Sequence, residues 1–202
     1  MPIFRSLFVI WVAVVLAVPP AAAIDFNPLS AIKGAIEAAA EGRSSGDIAK
    51  DLEIKAKITA DVIDKMGSDV VSINADVYEQ DVMLTGSVET AGQKTDAGAL
   101  AKAVEDVKKV YNEIIVIKAV KKEKGVIENF VDDSVIETKV NALLLDGTDV
   151  NVTNFRWRSV GAHVFLFGRA LSKAEHEKAT KIVKEIEGVQ SVTSRAKVRP
   201  KE

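Results

Sequence analysis

Apolar and polar positions follow the same order of patterns twice along the chain. In each half, apolar spacing of three to four residues predicts a helix, two alternating runs predict strands, and a second helix and a third strand follow. The first half gives these five elements over 51–65, 70–78, 81–88, 91–106 and 107–118. The second half gives a helix starting at Asp133, strands over 153–160 and 163–170, a helix over 172–187 and a strand over 189–198.

The two halves are related by a constant offset of 82 residues, without a gap. Gly86 returns as Gly168, and apolar positions such as Val82 and Leu84 return as Val164 and Leu166. Glycine inside a strand allows close approach of another backbone, so we interpret Gly86 and Gly168 as structural residues. The repeat predicts an α+β fold made of two tandem small α-β-β-α-β domains, each a three-stranded mixed sheet with two helices on one face. The domains span 50–118 and 131–199, joined by a linker over 119–130.

The N-terminal segment has the pattern of an export signal. A basic start, an apolar run and three small residues that end at Ala23 predict a signal peptide over 1–23, with an uncleaved membrane anchor as the alternative. A helix and a linker are predicted over 24–46; the helix either docks on a domain or lies on a membrane surface. The 202 residues include no cysteine, which excludes disulfides and lipid attachment through a cysteine. We therefore expect a periplasmic protein that is not a lipoprotein.

Several short motifs resemble a known family. The first repeat contains Leu84-Thr-Gly86-Ser-Val88 and then Val107-Lys-Lys-Val110-Tyr-Asn112, and the second contains Val164-Phe-Leu-Phe-Gly168 and then Gly188-Val-Gln-Ser-Val192. These motifs resemble the signature of the BON domain, although Asp106 stands where that family usually has glycine. The resemblance, which extends to tandem-BON envelope proteins, implies phospholipid association and a role in envelope integrity or osmotic stress, not catalysis.

The charges of the two repeats differ in sign. Residues 51–118 carry 8 basic and 13 acidic side chains, a net charge of −5, whereas residues 133–200 carry 11 and 8, a net charge of +3. Strand alternation places five cations and two phenylalanines on the sheet face of the second repeat that points away from its helices: Arg156, Arg158, Phe165, Phe167, Arg169, Arg195 and Lys197. Trp157 falls on the opposite side, which favours a core position.

Two interpretations of this basic face stay open. It could contact the headgroups of an anionic phospholipid membrane as a peripheral surface, or it could pack against the acidic first domain. Val135 and Lys139, four residues apart on one edge of a helix, are further candidates for membrane contact. The predicted lipid-binding residues are Val135, Lys139, Arg156, Arg158, Phe165, Phe167, Arg195 and Lys197.

The sequence contains little that indicates a catalytic or metal-binding site. The two histidines, His163 and His176, have no partners at metal-ligand spacing, and neither a phosphate-binding loop nor a nucleophile elbow occurs. We therefore predict a protein that is not an enzyme, with no cofactor, no metal site and no catalytic residues, and that does not bind nucleic acid. The alternative function is a periplasmic stress chaperone or protein-interaction module, with envelope proteins as its partners.

Overall fold

A computed structural model describes residues 41–67, 72–117 and 132–199. The predicted signal peptide, most of the N-terminal helix and the linker over 119–130 lie outside these residues. In the described part each repeat forms the predicted α-β-β-α-β unit, which confirms the fold class.

The first repeat begins with helix α1, Ser45–Met66. Strands β1, Asn74–Tyr78, β2, Asp81–Thr85, and the short β3, Ser87–Val88, precede helix α2, Ala91–Ala103. Strands β4, Lys109–Asn112, and β5, Ile115–Val116, complete the unit. β2 is the central strand, antiparallel to β1 and parallel to β4, while β3 pairs with β5 in parallel. Both helices cover one face of the sheet and enclose a core that includes Ile58, Leu84 and Ala101.

The second repeat follows the same plan. Helix α3, Asp133–Asp146, leads through a short 3-10 turn, Val152–Asn154, to strands β6, Phe155–Val160, and β7, His163–Ala170. Helix α4, Lys173–Lys184, and strands β8, Ser191–Ser194, and β9, Lys197–Val198, follow. β7 is antiparallel to β6 and parallel to β8 and β9. Trp157 packs partly buried against the core of this repeat, as its position in the alternation predicted.

The start of α1 differs from the sequence prediction. The predicted linker ended at Gly46 and the helix was expected from Asp51, yet the helix starts at Ser45 because the Ser44 hydroxyl accepts a hydrogen bond from the Asp47 amide (3.0 Å). The adjacent Arg43 is not part of a solvated linker. Its side chain is only 5% exposed and forms ion pairs with Glu41 and Asp51.

Two backbone features recur at the 82-residue offset. Gly86 and Gly168 have φ of 114° and 111°, and a Cβ at either would collide with a carbonyl oxygen, that of Ser72 or Asn154. Asp106 has φ of 67°, and its equivalent Gly188 has φ of 95°. Asp106 and Gly188 are thus both in the left-handed conformation, which glycine adopts without steric cost because it has no Cβ. Asp106 adopts the same conformation although it has a Cβ.

A helix carboxylate holds the tight turn between the first two strands of each repeat. Residues Glu79 and Gln80, and likewise Gly161 and Ala162, have positive φ, as a two-residue hairpin requires. Asp51, in the second turn of α1, accepts the backbone amides of Glu79 and Gln80 at 2.9 and 2.8 Å. Its equivalent Asp133 accepts those of Gly161 and Ala162 at 2.7 and 2.9 Å. Each first helix is thereby fixed to its hairpin.

Candidate functional site

The two sheets pack against each other through the faces that their own helices leave uncovered. Tyr78 and Met83 from the first repeat form a buried cluster with Phe165 and Phe167 from the second. Tyr111 packs at its margin, and its ring meets that of Phe167 edge-on at a centroid distance of 6.1 Å. The result is an apolar centre between two polar sheet faces.

Ion pairs surround this apolar centre, and the two sides of the interface contribute opposite charges to them. Among the described residues, six pairs cross the interface, with the acid always on the N-terminal side and the base always in the second repeat. They join Glu41 to Arg156, Asp76 to Arg158, Glu79 to Arg169 and to Arg199, Asp81 to Lys197, and Glu113 to Arg195. The opposite net charges of the repeats therefore meet in contact, which gives the interface electrostatic complementarity.

Equivalent positions of the two repeats meet each other. Asp76 and Arg158 are 82 residues apart, as are Glu113 and Arg195. Met83 and Phe165, also at this offset, share the apolar cluster. Residues that contact their own equivalents lie on a twofold axis, so the repeats are related by a pseudo-twofold that runs across the strands. Identical repeats would bring like charges together on this axis, whereas the substituted repeats bring opposite charges together.

Burial is unequal within the pairs. The Asp76 side chain is 5% exposed and that of Glu41 is 2% exposed, whereas Arg158 and Arg156 are 32% and 34% exposed. Arg158 Nη2 donates to Asp76 Oδ1 at 3.0 Å, and Arg158 Nε lies 3.0 Å from Oδ2 without hydrogen-bond alignment. A buried carboxylate depends on its cation, so removal of an arginine leaves an uncompensated charge.

Tyr78 is the polar anchor of the interface. Its hydroxyl donates to Asn154 Oδ1 at 3.1 Å, and two guanidinium groups contact its ring, with their carbons 4.2 Å (Arg43) and 5.4 Å (Arg156) from the ring centroid. Burial raises the pKa of Tyr78 to about 12. Burial alone would lower the pKa of Arg43, but its hydrogen bond and ion pair with Asp51 raise that pKa above its ordinary value.

The predicted lipid-binding residues fall into two groups. The basic sheet face is covered by the first domain, so packing between domains, the second of the two interpretations, is what the structure shows. Phe165 and Phe167 are 6% and 1% exposed and do not form an open membrane surface. The covered residues of the prediction are Arg156, Arg158, Phe165, Phe167 and Lys197. Arg195 pairs with Glu113 at the margin of the interface, and its side chain is 42% exposed.

Val135 and Lys139 form the second group and lie on α3, away from the interface. Val135 is 44% exposed, and the Lys139 side chain is 41% exposed with its Nζ 3.9 Å from Glu187. Leu143, one further turn along the same edge, is 43% exposed, and Leu145 is 62% exposed. The sequence prediction missed these two leucines because α3 has apolar residues on most of its circumference.

The sequence analysis did not assign individual acidic partners to the basic face. Opposite charges at the 82-residue offset could have identified Asp76 and Glu113, the partners of Arg158 and Arg195. The other acids, Glu41, Glu79 and Asp81, pair with residues that are not their equivalents. The histidines bond to serines, His163 Nδ1 with Ser191 Oγ at 2.6 Å and His176 Nε2 with Ser194 Oγ at 2.8 Å. Within the described ranges, no group of three or more His, Asp or Glu could hold a metal ion. In the same ranges, no helix is long and apolar enough to span a bilayer.

Three known proteins are similar to this chain. Osmotically-inducible protein Y of Escherichia coli is 27% identical over 76% of this chain and 75% of its own length. The outer membrane lipoprotein DolP of Haemophilus influenzae is 32% identical over 59% of each chain. An uncharacterized protein of Anaplasma centrale is 30% identical over 63% of this chain and 82% of its own length.

A family model gives the most specific result. The BON domain matches twice, over residues 50–118 and 132–200, which together make up most of the chain. The two matches contain both α-β-β-α-β units, apart from the first five residues of α1, and the recurring strand glycines Gly86 and Gly168. The chain therefore belongs to the BON-domain family and carries two BON domains in tandem.

Proposed function

We propose that this protein is a non-catalytic envelope protein that binds anionic phospholipid membranes peripherally through its second BON domain. The observation that carries the proposal is the outward side of α3, where Val135 and Leu145 are 44% and 62% exposed, while Lys139 and Leu143 lie on the flank next to Val135. Such a side is suited to shallow insertion at the level of the headgroups.

The acidic residues of α3 do not oppose this contact equally. Asp133 is occupied by the turn amides, and Glu137 Oε1 accepts the Ser159 amide at 2.9 Å. Both carboxylates are therefore directed toward β6, while Lys139 remains on the outward edge. Asp146 is the exposed acid of the helix and weakens attraction to an anionic surface.

The expected affinity is modest. The two aliphatic side chains of the outward side, Val135 and Leu145, contribute about 1 kcal/mol each when they leave water, and a lysine near an anionic surface adds about 1 kcal/mol. Binding of this strength is reversible and falls with salt. The names of the two characterised relatives, one an outer membrane lipoprotein and one osmotically inducible, support a location in the periplasm after signal cleavage and a role in envelope integrity under osmotic stress.

Flotation with liposomes tests the proposal. At low salt the full-length mature chain should float with vesicles that contain phosphatidylglycerol or cardiolipin and not with pure phosphatidylcholine. Val135→Asp should abolish most of the flotation, and Leu52→Asp is the matched control, since Leu52 is an apolar residue 62% exposed on α1. Absence of flotation, or equal loss in both variants, would contradict the proposal.

A further inference from the structure

A narrow groove lies between α1 and the edge strand β1 of the first domain. It encloses about 280 Å³. Helix α1 contributes Ile58, Val62 and Ile63, and the strand side contributes Ile73 and Ala75. Ile58 and Val62 are buried in the floor, while Ile63 is 54% exposed at the rim.

The outward backbone groups of β1 lie along this groove, and the residues that carry them, Ala75 and Val77, are 6% and 9% exposed. The two-residue turn is closed by the pair Tyr78 and Asp81, so the N–H and C=O groups of Ala75 and Val77 point away from β2. Nothing in the part of the chain that the structure describes forms a hydrogen bond to these outward groups. An edge strand with unpaired groups is a template for another strand.

The equivalent groove of the second domain differs at this edge. Its lining includes Asn141, Phe155 and Trp157, which are the equivalents of Thr59, Ile73 and Ala75. There Arg156 Nη1 donates to the Phe155 carbonyl at 3.0 Å, and Glu137 accepts the Ser159 amide. Side chains therefore form hydrogen bonds with outward backbone groups of β6. The equivalent backbone groups of β1 have no such partner among the described residues.

The charge at the first groove indicates which kind of ligand it can bind. Lys55 is the one charged residue of its lining, and its side chain is 44% exposed. Its Nζ lies 3.6 Å from Asp76 Oδ1, an oxygen that already accepts from Arg158. Lys55 therefore shares the Asp76 carboxylate with Arg158 and can also pair with an acidic group of a ligand at the rim of the groove.

We propose that the first BON domain binds an extended polypeptide segment that adds as a strand to the free edge of β1, with apolar side chains in the α1–β1 groove and an acidic side chain at Lys55. Backbone hydrogen bonds to Ala75 and Val77 provide affinity, and the groove selects alternate side chains. This activity is separate from the membrane contact of α3.

A labelled nine-residue peptide of alternating valine and threonine with one aspartate is the probe, and fluorescence anisotropy with the full-length mature chain is the assay. We expect saturable binding that Ile63→Asp weakens about tenfold or more, because the variant removes an apolar contact and adds a charge. Leu145→Asp is the matched control at the equivalent position and should leave the affinity within about twofold. No saturable binding, or equal weakening by both substitutions, would overturn the proposal.

A charge exchange gives a second, independent measurement. Lys55→Glu should weaken the aspartate peptide and bind a matched peptide with lysine in place of the aspartate better than the unsubstituted protein does. Peptide binding should also slow amide hydrogen exchange in the segment 72–78. If exchange slows elsewhere and not there, the assignment to β1 is wrong. Ile63→Asp should leave liposome flotation intact and Val135→Asp should leave peptide binding intact, so failure of either proposal is recognised separately.

Discussion

The pair formed by Asp76 and Arg158 gives a quantitative test of the electrostatic interface. Two unit charges about 4 Å apart contribute roughly 4 kcal/mol at an effective dielectric constant of about 20. Because Arg158 is 32% exposed, solvent screening reduces this value, and we expect a coupling free energy of about 2 kcal/mol. Arg158→Ala alone should cost somewhat more, since it leaves the buried Asp76 with Lys55 as its remaining cation.

A double-mutant cycle isolates the coupling. Urea unfolding of the wild type, Asp76→Ala, Arg158→Ala and the double variant gives the four free energies of unfolding. The control cycle uses Glu53 and Lys57, an exposed pair of α1 at 2.8 Å, for which we expect no more than about 0.5 kcal/mol. A coupling at Asp76 and Arg158 as small as that of the control would refute the reasoning that burial of the acid makes the pair strong.

Three further predictions concern the backbone, the turns and pH. Gly168→Ala should destabilise the protein by about 2 kcal/mol or more, since φ is 111° and the new Cβ meets the Asn154 carbonyl, whereas Gly92→Ala in the first turn of α2 should be neutral or stabilising in thermal unfolding. Asp133→Ala should cost about 2–3 kcal/mol in urea unfolding because three donors of β6 and its turn lose their acceptor; an effect below that of an average surface substitution would contradict this role. The pKa of Tyr78 is raised to about 12 from 10.0, so its contribution is complete below pH 10 and is lost as the pH rises toward 12. Between pH 10 and pH 12 the free energy of unfolding of the wild type should therefore fall by about 2–3 kcal/mol more than that of Tyr78→Phe, as measured by urea unfolding. Parallel pH profiles of the two proteins would show that Tyr78 is not responsible.

The sequence predicted the fold well because its repeat is carried by local patterns. Helical spacing, strand alternation and the recurring glycines depend on neighbouring residues, and they placed β7 at His163–Ala170 without error. The predicted start of α1 was wrong because a cap at Ser44 and a buried Arg43 resemble a polar linker when only composition is considered.

The interface could be predicted only in part. Alternation identified the basic face of the second repeat, but its partner depends on how two folded units are placed. Arg195 and Glu113 form a pair at 2.6 Å although 82 residues separate them, and neither residue alone indicates the other. Exposure of Leu145 likewise depends on which side of α3 the sheet covers.

Cross-linking tests the central claim, that the two BON domains are packed face to face around a pseudo-twofold, most directly. The chain has no cysteine, so paired substitutions introduce the only thiols. Glu113→Cys with Arg195→Cys should be joined within one chain by a short bismaleimide, because these equivalent positions meet at the interface. Lys57→Cys with Lys139→Cys, equivalent positions on the outer helices α1 and α3, should not be joined. Failure of the first pair to link, or linking of both pairs at equal rates, would contradict the packed arrangement.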